Sequence, residues 1–115
     1  MNSADKTISW EDFEKIAIRS GTILTAELLE GLRKPAVKLD IDFGSLGIKK
    51  SSAQLTCLYS PEDLIGKQIV AVVNFPPKQI RNFFSECLVL GVYGNDGEVT
   101  LLSVDKLVHD GSVIG

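Results

Sequence analysis

Between Val37 and Phe43 apolar and charged residues alternate without a break: Val37, Leu39, Ile41 and Phe43 against Lys38, Asp40 and Asp42. A period of two puts the four apolar side chains on one face of a strand and the three charges on the other. Upstream, Ile16, Ile18 and residues 22–29 read as a long strand, with Gly21 as a bulge or bend, and residues 30–35 as a loop. Downstream, Gly44-Ser45-Leu46-Gly47 makes a turn and residues 48–55 continue as a third strand. Residues 68–74 are rich in β-branched side chains and read as a fourth strand buried on both faces. Phe75-Pro76-Pro77 ends it, because proline cannot donate to a ladder. A fifth strand over 87–93 leads through Gly94-Asn95-Asp96-Gly97 into a returning strand over 99–104.

Two short segments carry helix signals instead. Ser9 followed by Asp12 forms a capping box, and a helix over 9–15 sets Trp10 and Phe13 on one face. Ser60, Pro61, Asp63 and Gly66 supply an N-cap, a first-turn proline, the box residue and a stop. The order is therefore three strands, a helix, then two strands. That is the order of a five-stranded OB-fold barrel, here an all-β domain with an added N-terminal helix and C-terminal hairpin. An SH3-like barrel matches the strand count but leaves the helix between strands three and four unexplained. Fold alone names no function.

Composition narrows the class. With 115 residues, 44% of them hydrophobic and 23% charged, the chain is expected to form one domain over 1–115, flexible only over 1–8. No window approaches 18 apolar residues, so no membrane insertion is expected, and the polar N-terminus lacks the apolar core of a signal peptide. Cys57 and Cys87 have no metal or redox spacing and read as reduced, buried thiols of a cytoplasmic protein. The net charge of −3 hides an uneven distribution. Residues 31–81 hold eight basic and four acidic side chains, whereas both flanks are acidic. A basic centre between acidic ends suits a phosphate-binding face; the plainer reading is that these lysines solubilise loops.

Enzymatic chemistry finds little to work with. His109 is the single histidine and stands in a predicted turn beside Asp110-Gly111, without cysteine partners for zinc. No phosphate-cradling glycine loop and no paired carboxylates occur, so no catalytic residue, metal or cofactor is implied. Two stretches remain informative. In the first, Asn74 precedes two prolines, Lys78 and Arg81, a rigid exit that presents an amide and two cations, or simply a terminated strand. In the second, Lys49-Lys50-Ser51-Ser52-Ala53-Gln54 alternates cations and hydroxyls along a strand, suited to phosphate and ribose contacts, or merely exposed. Phe75, Phe83 and Phe84 around the proline loop are either core or an apolar wall for polypeptide.

These stretches also carry a resemblance. Ile18-Arg19-x-Gly21-Thr22-Ile23, Arg33-Lys34-Pro35-Ala36, Ile48-Lys49-Lys50-Ser51-Ser52-Ala53-Gln54, Val73-Asn74-Phe75-Pro76-Pro77-Lys78-Gln79-Ile80 and Ser85-Glu86 together resemble the CsaA family. These are small bacterial and archaeal protein-secretion chaperones, similar to the free-standing tRNA-binding module of some methionyl-tRNA synthetases and of endothelial monocyte-activating polypeptide. The resemblance implies a homodimer that handles unfolded or precursor polypeptides and binds tRNA. Its alternative is a structure-selective tRNA-binding protein serving aminoacylation or tRNA handling. It points to Asn74, Lys78 and Ser85, with Glu86 beside them, as tRNA contacts, and to Lys49, Lys50, Ser51 and Ser52 in the same groove. Arg33, Lys34 and Arg81 complete the expected RNA face, and Phe75, Phe83 and Phe84 the expected peptide wall. Few aromatics accompany the lysines, so phosphate and shape contacts should dominate over base stacking. Trp10, Phe13, Val113 and Ile114 are the expected dimer contacts, since both apolar termini would otherwise lie exposed. Ala17, Ser20 and the Val108-His109-Asp110-Gly111 segment depart from the usual pattern.

Overall fold

The computed structural model describes residues 6–115, so most of the expected flexible segment 1–8 lies outside the described residues. Helix α1 (Trp10–Glu14) leads into β1 (Ile18–Leu29) and β2 (Ala36–Asp42). A single 3-10 turn (Gly44–Leu46) connects β2 to β3 (Ile48–Ala53), and α2 (Pro61–Leu64) precedes β4 (Gln68–Val72). Five short strands follow: β5 (Lys78–Ile80), β6 (Phe83–Ser85), β7 (Leu88–Val89), β8 (Gly91–Tyr93) and β9 (Val99–Leu101). Both helices begin as the sequence predicts, α1 with the Ser9–Asp12 capping box formed both ways and α2 with the Asp63 carboxylate accepting from the Ser60 N–H and hydroxyl. No helix among the described residues is long and apolar enough to cross a membrane.

The main sheet has the order β3-β2-β1-β4-β7, with every neighbouring pair antiparallel. Strand β1 is long enough to serve two partners: Thr22–Leu29 faces β2, and Ile18–Thr22 faces β4. The sheet curls until its edges β3 and β7 pack together. Each edge lies an even number of antiparallel steps from β1, so the two run parallel at the seam. With α2 between β3 and β4 and Leu64 plugged into the interior, this is the OB-type barrel that the element order predicts. Inside it Ile23, Val37, Leu39, Ile41, Phe43, Leu55, Ile69, Ala71 and Cys87 form one buried cluster, and the alternation over 37–43 maps onto it residue by residue. Strand β4 is buried at all five positions because residues 103–108 run along it: Ser103 bridges Ile69, and the Gln68 amide brackets Val108 on both its N–H and C=O.

Four local expectations are corrected. The register of β1 shifts between Ile23 and Thr25, not at Gly21. Gly21 pairs in register with Ile69 and leaves room for the Phe43 ring, whose edge would stand 2.7 Å from any Cβ there. The fifth strand divides at Leu90, whose N–H still bonds Val70 while its C=O already accepts from Leu102, so the chain passes from β4 to the β8–β9 hairpin. Residues 78–85, expected as a loop, form the β5–β6 hairpin. Cys57 is exposed rather than buried, because the chain turns at the surface between β3 and α2.

Two measurements check this packing. Gly21→Ala should force Phe43 to shift and cost about 1–3 kcal/mol in urea unfolding, with an unchanged m-value. Burial pushes the Cys87 thiol up to about 11, against smaller opposing effects of Ser51 and Lys49. At pH 8 the native protein should therefore release one equivalent of thiol to a colorimetric reagent, from Cys57, and the second only on unfolding.

Candidate nucleic-acid interface

A cleft of about 590 Å³ opens where the β1–β2 loop, the end of β3, the β5–β6 hairpin and the β7–β9 region meet. That volume lies within the ordinary range for ligand sites, roughly 300–1,000 Å³. Its rim carries Arg33 and Lys34 from the loop and Lys78 from β5; its polar lining includes Ser52, Gln54 and Ser85. The floor is aliphatic, with Ala53, Leu55, Val89 and Leu101, and Tyr93 stands at one side. Among the described residues, no carboxylate lines it. Three cations around a concavity without a compensating acid focus positive potential into it, even in an acidic chain.

The hairpin that supplies Lys78 is held at both ends. Phe83 is buried, and the Lys38 ammonium from the outer face of β2 lies 4.8 Å from its ring centroid. At the tip Arg81 turns the chain with φ of 55°, the single positive-φ residue other than glycine among those described. Its guanidinium lies against Gly31: a Cβ at that glycine would stand 3.0 Å from Arg81 Nη1. The hairpin and the β1–β2 loop thus touch above the cleft. Lys78 and Ser85, opposite one another in β5 and β6, both line it.

The residues singled out from the sequence divide into three groups. Arg33, Lys34, Ser52, Lys78 and Ser85 meet in the cleft. Lys49 and Lys50 lie further along β3, outside its lining, and Lys50 is engaged: its Nζ is 3.0 Å from Asp40 Oδ1. Burial works to raise the Asp40 carboxyl, but hydrogen bonds from Lys50 and Thr25 and the charges of Lys50 and Lys38 hold it below the ordinary range. This contribution to stability is present above the unfolded pKa and is lost as pH falls through the folded one.

The third group has structural work. The Asn74 amide donates one N–H to Lys15 C=O and accepts from Ala17 N–H, which pins the α1–β1 junction. Ser51 is buried and its hydroxyl donates to Cys87 C=O. Glu86 accepts from Lys50 N–H through its carboxylate and donates its own N–H to Lys50 C=O. Phe83 belongs to the hairpin's support, whereas Phe75 and Phe84 are each 55% exposed. Trp10 (75% exposed) stacks on half-buried Phe13, and Val113 (71% exposed) bridges Arg19 beside half-buried Ile114. The C-terminal segment therefore lies along the start of β1, where Ile114 N–H bonds Ile18 C=O. Ser20 is wholly buried, its hydroxyl donating to His109 C=O and accepting from Ser112 N–H.

Tyr93 and the aliphatic floor were not among the sequence candidates. A tyrosine beside a hairpin turn carries no positional signal, and aliphatic residues at the end of a barrel read as core.

Comparison with known proteins agrees with this geometry. Residues 18–113 match the family described as "Putative tRNA binding domain". The methionine–tRNA ligase of Caldanaerobacter subterraneus is 37% identical over 93% of this chain, which spans 16% of that enzyme's length. The crystal structure of the chaperone CsaA of Bacillus anthracis superposes with a TM-score of 0.90 at 50% identity, covering 95% of this chain and 99% of that one. The CsaA chaperone protein of Picrophilus torridus gives 0.87 at 49% identity, over 95% and 100% of the two chains. On the family match and the shared barrel, the chain belongs to the tRNA-binding domain family.

Proposed function

We propose that this chain is a non-catalytic, cytoplasmic binding module that takes tRNA in the cleft, with Arg33, Lys34 and Lys78 meeting backbone phosphates. The ring of three cations, with no carboxylate among the described lining residues, carries the reading, since the net charge of −3 would otherwise repel a polyanion. Ser52, Gln54 and Ser85 supply hydroxyl and amide partners for sugar and phosphate oxygens. Lys49 and Lys50 contribute less, because Asp40 neutralises Lys50. Asn74 acts indirectly, by fixing the chain that enters β1.

A second reading, chaperoning of unfolded or precursor polypeptides in secretion, is supported by the likeness to solved CsaA chaperones and by the exposed Phe75 and Phe84 flanking the hairpin. Both readings sit on a homodimer. Trp10 and Val113 leave apolar surface where α1 and the C-terminal segment adjoin the start of β1, and a two-fold contact there covers it on both copies at once.

Titration of bulk tRNA at several salt concentrations should give a log–log slope that loses about two to three units when Arg33, Lys34 and Lys78 are changed together to Ala. Lys49→Ala with Lys50→Ala should change it less. Absence of tRNA binding by the folded wild-type chain at low salt, with suppression of aggregation of a denatured client, would favour the second reading. Light scattering should return twice the 12.5 kDa chain mass, falling to one chain when Trp10 and Val113 are both replaced by Asp.

A further inference from the structure

Phosphate contacts use only the rim of the cleft, and a recess of about 590 Å³ with an aliphatic floor is more than they require. A duplex keeps its bases stacked inside and offers backbone to a rim, so it would leave this floor wet. Single-stranded RNA can splay a base outward, expose a flat apolar ring, and keep a phosphate on either side. Tyr93 lines the recess and is 85% exposed, a large ring left in water beside an apolar surface.

We propose that the recess takes one unstacked nucleobase of a single-stranded RNA segment, with Tyr93 against the base and Arg33, Lys34 and Lys78 on the flanking phosphates. This rests on the tRNA reading and narrows it to an unpaired stretch. Stacking on one face is sequence-tolerant, because every base presents a π-surface. Ser52 and Gln54, on the wall formed by the end of β3, supply hydrogen-bond partners for a base edge. The floor would also accept an aliphatic side chain of a polypeptide. Three cations without an acid favour the polyanion, since a neutral or basic peptide would leave them unpaired.

The test uses the full chain at one low salt concentration and three probes followed by anisotropy: folded tRNA, an unstructured oligoadenylate, and a wholly abasic strand of the same length and charge. The abasic strand should bind at least about fivefold more weakly than the oligoadenylate, the lower end of what one stacked base is worth. Tyr93→Ala, at an exposed position that leaves the fold alone, should bring the two strands close to equal affinity, and Tyr93→Phe should restore the difference. A 2-aminopurine placed in the oligoadenylate should be quenched on binding to wild type and not to Tyr93→Ala. Equal affinity for the intact and abasic strands, with tRNA still bound, overturns the base site and leaves the tRNA reading standing. Loss of all three interactions overturns both. Unchanged RNA binding by Tyr93→Ala, with weakened capture of an acidic leucine-containing peptide, assigns the recess to polypeptide and also overturns the proposal.

Discussion

A five-stranded sheet that curls into a barrel ends with two edges, and unpaired edge groups invite pairing with other chains. Here those edges, β3 and β7, run parallel and are joined, at the residues just before β7, by one backbone bond and by side chains. Glu86 performs both halves of a strand partner's task for Lys50, accepting from its N–H with a carboxylate and donating to its C=O from the backbone. One position along, the Ser51 hydroxyl reaches Cys87 C=O. Everything that makes the cleft follows from this seam. The β5–β6 hairpin ends at Ser85, one residue before Glu86, so closing the barrel brings Lys78 and Ser85 over the end of β3. Lys38 over the Phe83 ring then sets the hairpin's tilt from the far side.

The other end of the molecule is closed by the C-terminal segment. Residues 109–114 lie along the first residues of β1, where Arg19, Ser20 and Thr22 bond Gly111, His109 and Asp110. Gly44 and Gly111 both have positive φ, and each lies where a Cβ would collide with the other segment's backbone, at Asp110 and Phe43 respectively. The positions that depart from the CsaA-like pattern, Ser20 and the His109 segment, are hydrogen-bonded to one another. The hydroxyl of Ser20, at a wholly buried position, is satisfied by the C-terminal backbone at His109 and Ser112.

Legibility from the sequence followed the strength of local patterning. Strand β2 could be read because one buried face and one wet face impose a period of two over seven residues, and α1 and α2 because their capping boxes are local hydrogen-bond devices. The β5–β6 hairpin could not: three-residue strands are too short for a period, and its turn places Arg81 where glycine is usual. The candidate site was legible in part. Arg33, Lys34, Ser52, Lys78 and Ser85 converge as cations and hydroxyls from three segments. Asn74, Ser51 and Glu86 look identical in sequence to residues free to bind a ligand, yet each is also bonded to backbone groups far along the chain. Such long-range pairing leaves no local trace.

The contact between Arg81 and Gly31 has a consequence for inheritance. A left-handed backbone at a residue other than glycine costs about 1–2 kcal/mol, and the guanidinium of the residue that bears it lies over Gly31, itself at a positive φ of 78°. A substituent at 31 would have to displace the guanidinium, and glycine at 81 would relieve the strain but remove the contact. Because both lie on surface loops rather than in the barrel, drift at this pair would widen or narrow the mouth of the cleft while the fold persisted. Relatives that share the barrel can thus diverge in the ligands they admit through two coupled surface positions, with the core left untouched.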